Sequence, residues 1–216
     1  YPADMEASAR HVMAVGTVFG AACKCLCTHG RSPEKIAALY YFVACTNGGL
    51  VQLILSHSHV SPDLLLRMCR ASPKLTSLSG PDHLVTPDAT IVAISAACTD
   101  LEFVDFSRVG NAYSPAESWA RLFPRLRCLT LSRGSPPYLP TRLDAIREAA
   151  LTCRVVELDI AGCHITADVI DAIVGTPLGD QLEALDGMIL EDNIGTNIEP
   201  AAFLAAARGF PKLKLL

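Results

Sequence analysis

With 216 residues, half of them apolar, the chain is long enough to bury a sizeable core as one domain or two small ones. Eighteen Lys and Arg against 22 Asp and Glu leave a formal net charge of −4, which argues against a protein built mainly to grip nucleic acid. No apolar run is long enough for a membrane span, and the stretch from His11 to Leu26 lacks the basic leader of a signal peptide.

Taken in chain order, Met5, Ala9, Val12 and Met13 recur at helical spacing, and from residue 22 onward one apolar skeleton returns again and again. Ala22-x-x-Cys25-x-Cys27-x-x-Gly30 is a degenerate first copy, and Leu50-x-x-Leu53-x-Leu55-x-x-Ser58 a clear second. Leu75-x-x-Leu78-x-Gly80-x-x-His83, Leu101-x-x-Val104-x-Phe106, Leu126-x-x-Leu129-x-Leu131-x-x-Gly134 and Val155-x-x-Leu158-x-Ile160-x-x-Cys163 follow. Leu185-x-x-Met188-x-Leu190-x-x-Asn193 is the fullest copy, and Leu213-x-x-Leu216 begins another. The starts lie 28, 25, 26, 25, 29, 30 and 28 residues apart, a period too steady for chance.

A second signal runs in phase. Ser32-Pro33, Ser61-Pro62, Thr86-Pro87 and Ser114-Pro115 each follow a copy of the motif, and Thr141 and Thr166 repeat the position without Pro. A hydroxyl there accepts a bond from an orphan amide of a first helical turn, and Pro at the next position has no amide to waste. Apolar residues then recur at helical spacing, as in Ile91, Ile94 and Cys98, and several helices stop at a Pro that leads into the next strand: Pro73, Pro124 and Pro211. Each unit is thus a short strand, a turn, a helix and a return. Strands are expected near 51–55, 76–79, 102–106, 127–131, 156–160 and 186–190, parallel and adjacent in order. An all-helical solenoid is weighed against by the β-propensity of segments such as Val155 to Ile160.

On these motifs the chain resembles the leucine-rich repeat proteins, in period and helix content the ribonuclease-inhibitor-like and cysteine-containing types, over about residues 22–216. The resemblance implies an α/β solenoid, a horseshoe of seven to eight repeats with a parallel sheet on the concave side and helices on the convex side. It is taken as a single domain, 1–216, with 1–30 a degenerate N-terminal unit and 213–216 the start of a truncated one. In the family the motif ends on Asn or Cys. Asn193 and Cys163 match, Ser58 and His83 are substitutes, and Gly30, Val109 and Gly134 depart from it, around turns where Pro136 to Pro140 form an extended rim loop.

Little in the sequence points to chemistry. Nine cysteines set inside apolar runs read as reduced, buried thiols, which places the protein in the cytoplasm, with the nucleus as the alternative. Cys23-Lys-Cys25-Leu-Cys27 followed by His29 invites a metal reading, but the repeat frame assigns Cys25 and Cys27 to the core and no matching knuckle lies nearby. Cys45, Cys69, Cys98 and Cys153 lie near helix ends and take the same core reading. His57 and His59 are placed at the rim. No nucleophile elbow and no phosphate loop occur, so neither an enzyme nor a cofactor is expected.

The sheet face opposite the core remains. Its first half (Gln52, Ile54, Ser56, Ser77, Ser79, Pro81) is polar but nearly uncharged, while its second half carries Phe103, Asp105, Arg108, Thr130, Arg133, Glu157, Asp159, Glu191 and Asp192. The expectation is non-catalytic protein binding, as a scaffold or subunit, at Phe103, Asp105, Arg108, Arg133, Glu157, Asp159, Glu191 and Asp192. The partner is a protein with a basic segment and an apolar anchor, not primarily nucleic acid and not a membrane. Two alternatives stay open: the substrate-recognition half of a ubiquitin-ligase receptor whose adaptor-binding segment lies upstream, and a structural subunit of a ribosomal or ciliary complex.

Overall fold

In the computed structural model each described strand covers three residues in the middle of the L-x-x-L-x-L motif. The structure describes residues 22–27, 33–55, 59–81, 88–105, 121–130, 155–159, 167–186 and 208–214. The chain divides into two compact units, Tyr1–Leu101 and Glu102–Leu216.

In the first unit, β1 (Cys25–Cys27), β2 (Gln52–Ile54) and β3 (Ser77–Ser79) alternate with α1 (Pro33–Cys45), α2 (Pro62–Ala71) and α3 (Asp88–Ala97). The strands are parallel, with Leu26, Leu53 and Leu78 in register. α2 shows why the Ser-Pro pairs recur. Ser61 is extended, its hydroxyl accepts the Leu64 amide at 3.3 Å, and Pro62 opens the helix where an amide would be orphaned. Leu50, Leu53, Leu65, Met68, Leu75, Leu78 and Ile94 are fully buried, so the leucines of the motif and the inner faces of the helices form one core.

In the second unit, β4 (Phe103–Asp105), β5 (Cys128–Thr130), β6 (Glu157–Asp159) and β7 (Ala184–Asp186) are again parallel and in chain order, with Val104, Leu129, Leu158 and Leu185 in register and buried. Two short helices, α4 (Ala167–Ile173) and α5 (Pro177–Gln181), precede β7. Gly175, at φ +73°, makes the left-handed step that L side chains resist, and Thr176 then caps α5 by accepting the Gly179 amide at 3.3 Å.

Each step of both ladders begins the same way. Two successive amides donate to one carbonyl of the preceding strand: Val51 and Gln52 to Lys24 at 2.8 and 2.9 Å, Arg127 and Cys128 to Glu102 at 2.7 and 3.0 Å, Val156 and Glu157 to Arg127 at 2.8 and 3.0 Å, Glu183 and Ala184 to Val156 at 2.8 and 3.1 Å. The Lys214 amide continues the series onto the Glu183 carbonyl at 2.8 Å.

These rungs fix the repeat frame and correct it in two places. Leu185 pairs with Leu158, so the last full unit begins at Leu182, also buried, and not at Leu185; its strand is Ala184–Asp186 where 186–190 was expected. The first unit begins at Cys23 and not at Ala22, because Leu26 is the residue in register with Leu53. A slip of one residue along a strand moves every side chain to the other face. Cys25 and Cys27 are therefore exposed, where the sequence frame assigned them to the core, and Leu26 points inward.

The reading of the other cysteines fares differently along the chain. Cys69 and Cys98 are fully buried, with the Cys98 thiol donating to the Cys69 carbonyl at 3.4 Å, whereas Cys45 and Cys128 are half-buried. The neighbouring Cys98 thiol and burial together push the Cys69 thiol up from its ordinary value. In the folded protein Cys25 and Cys27 should react quickly with iodoacetamide while Cys69 and Cys98 react only after unfolding, as peptide mass mapping of a time course would show. Protection of Cys25 and Cys27 to the level of Cys69 would restore the original frame.

Candidate functional site

Bonded register builds the open face of the second unit from two rows. Phe103, Cys128, Glu157 and Ala184 stand in line on neighbouring strands, and so do Asp105, Thr130, Asp159 and Asp186. Phe103 and Asp105 are half-buried and Glu157 is exposed. Adjacent strands lie about 4.8 Å apart, so the second row carries three aspartate positions within about 14 Å. Asp186 was missed in the sequence because the last unit was framed three residues late. Thr176-Pro177, a cap of the kind seen in earlier units, was the signal that would have found it.

Of the other expected site residues, Arg108, Arg133, Glu191 and Asp192 lie outside the described residues, as do His57, Cys163, Asn193 and the Pro136 to Pro140 loop. The frame that set Glu191 and Asp192 on the strand face is replaced by one that sets Ala184 and Asp186 there. Burial also corrects the face itself. Ser79, Pro81 and Thr130 were expected in solvent and are buried, Ser79 at 7% and Thr130 at 8% exposure, so the third strand position is less open than simple alternation requires. His59 is exposed, as its place past the turn implied.

Where each strand begins, the charges alternate instead. Glu102 and Arg127 are exposed, and further along the same row the Lys214 ammonium donates to the Glu183 carboxylate at 2.6 Å. That bond, with the added charge of Lys214, Lys212 and Arg127, holds the Glu183 carboxyl below its ordinary value. Its contribution to stability is present above the unfolded-state value and is lost as pH falls through the depressed one; both side chains are well solvated, so it is small.

Buried leucines at the first and fourth motif positions, parallel strands in chain order and capped helices between them decide the architecture. These are the repeated strand-and-helix units of an α/β solenoid. No protein-family model matches the sequence, and no curated protein matches it. Among solved structures, a crystal structure of an internalin from Listeria monocytogenes aligns with 96% of this chain and 73% of its own, at 13% identity and a TM-score of 0.39. Among the described residues of the repeat units, no group of three or more His, Cys, Asp or Glu is placed to hold a metal ion, and no helix is long and apolar enough to cross a membrane.

Proposed function

We propose that the chain is a non-catalytic protein-binding module of the leucine-rich repeat class, nearest the helix-bearing ribonuclease-inhibitor-like types, and that the open sheet face of its second unit receives a partner through a basic segment. The observation that carries the reading is the row Asp105, Thr130, Asp159 and Asp186: three aspartate positions in bonded register, a half-buried Asp105 on one side of the buried Thr130 and two more on the other, with no lysine or arginine in the row. At about 3.3 to 3.6 Å per residue, a span of about 14 Å is covered by roughly four extended residues of a partner lying across the strands. Phe103, at the other end of β4, supplies apolar area for an anchor.

Division of labour follows from the physics. Carboxylates steer encounters with a basic segment and are screened by salt, whereas a buried ring slows departure. Selection of peptides displayed at random against the folded protein should enrich Lys- and Arg-containing sequences with an aromatic or aliphatic residue. Their association should slow as salt rises, Asp105→Lys with Glu157→Lys should lower the on-rate, and Phe103→Ala should raise the off-rate. Enrichment of acidic or uncharged peptides, or binding unchanged by Asp105→Lys with Glu157→Lys, would overturn the assignment.

A further inference from the structure

The one-residue correction at β1 leaves two thiols where the sequence frame had none. Cys25 and Cys27 flank Leu26 on a single strand, both exposed, and neither is in a disulfide. Residues i and i+2 of a strand share a face, and at a rise of about 3.3 Å per residue their Cβ atoms stand about 6.6 Å apart. A disulfide needs its Cβ atoms about 3.8 Å apart. Joining these two sulfurs directly would therefore pull the strand out of its pairing, in which Cys25 faces Gln52 and Cys27 faces Ile54. The pair therefore stays a dithiol on one face of the strand, its Cβ atoms separated by more than a disulfide spans.

A gap of this kind suits a cation that bridges two sulfurs in line. We propose that Cys25 and Cys27 form a two-coordinate thiolate site for a soft monovalent metal ion, with Cu(I) as the ion that matches. Thiolate ligands select Cu(I) among the ions that soft donors hold. Zinc takes four ligands in a tetrahedron, and two same-face side chains of one strand furnish half of that set. Among the described residues, the strand positions beside the pair are uncharged: Gln52, whose amide oxygen accepts a hydrogen bond from the Cys25 thiol at 3.2 Å, and Ile54 and Ser77 beyond it. Cys23 is differently placed. It is half-buried, aligned with the first motif position, and its thiol donates to the Cys25 carbonyl at 3.2 Å.

Binding needs no oxidant or reductant. Both S–H protons pass to solvent, two metal–sulfur bonds form, and the ion keeps its +1 state, so uptake tightens as pH rises. The site is independent of the acidic row on the second unit, and neither depends on the other.

The test uses the full chain under anaerobic conditions, with Cu(I) supplied in competition with a colorimetric chelator. The first equivalent should be taken up tightly, should protect Cys25 and Cys27 alone from iodoacetamide, and should show two sulfur neighbours by X-ray absorption. C25S/C27S should lose this uptake, and C23S and C45S/C128S should keep it. Zinc at the same ratio should leave Cys25 and Cys27 open to alkylation. Tight uptake retained in C25S/C27S, protection falling on other cysteines, a third sulfur neighbour, loss in C23S, or equal protection by zinc would each overturn the assignment. The protection map and the absorption spectrum are read on the unmodified chain and do not depend on any variant folding.

Discussion

Leu129→Ala should lower the free energy of unfolding by ~2–5 kcal/mol, among the largest effects of any single truncation in the chain. Leu129 is the middle residue of β5, 1% exposed, with Val104 and Leu158 as its bonded neighbours on either side, both themselves buried. Its removal takes apolar contacts from two adjacent steps of the stack. Each repeat rests only on its neighbours, so no second core is present to relax into the space. Urea unfolding followed by circular dichroism measures the change, with Glu102→Ala, an exposed position one step from Phe103, as the comparison. A loss below ~0.5 kcal/mol, the size expected of a surface substitution, would place Leu129 on the wrong face.

A methyl group at Gly179 should be nearly as damaging, although glycine is ordinarily the poorer helix former. Gly179 lies within α5, and a side chain there would be driven into the Ile173 carbonyl at the end of α4 and would stand 3.3 Å from Cε1 of Phe210. The obstacle on one side is backbone, which cannot swing aside, and on the other a ring that is itself buried. Gly179→Ala is expected to destabilise by ~1–3 kcal/mol net, the cost of overpacking outweighing the ~1 kcal/mol of helix propensity that alanine brings. Thermal unfolding of Gly179→Ala beside Asp180→Ala, at an exposed position of the same short helix, separates the two effects. An unchanged or raised Tm for Gly179→Ala would show that α5 does not pack against the end of α4 in this way.

How much of this was legible beforehand depends on what each residue's position had to satisfy. The strands around Leu53, Leu78, Val104, Leu129 and Leu158 could be found because leucines spaced three apart and capping Ser-Pro pairs repeat together, and both signals report on local geometry. β7 was framed late because Leu185-x-x-Met188-x-Leu190 is a better apolar match than Leu182-x-x-Leu185-x-Gly187; hydrogen bonding to β6 chose the poorer match. β1 was framed early because cysteine passes for a core residue by composition, and only the pairing of Leu26 with Leu53 decides which parity faces inward. Phe103, Asp105, Glu157 and Asp159 were legible as members of one face because alternation alone groups them. Asp186 was not, since its membership follows from a register that no local pattern states.

The doubled hydrogen bonds at each strand start also have a mechanical meaning. From Arg127 through Val156 and Glu183 to Lys214, each step of the second unit begins on one carbonyl of the step before it, ahead of the paired strand residues, and the steps follow one another in chain order. A pull on the chain at Lys214, directed across the strands, loads these attachments one after another and never all together. Such a pull is expected to open the stack like a zipper, one repeat after another, and a partner that spans β4 to β7 would act as a splint, bridging several attachments so that they must yield in concert.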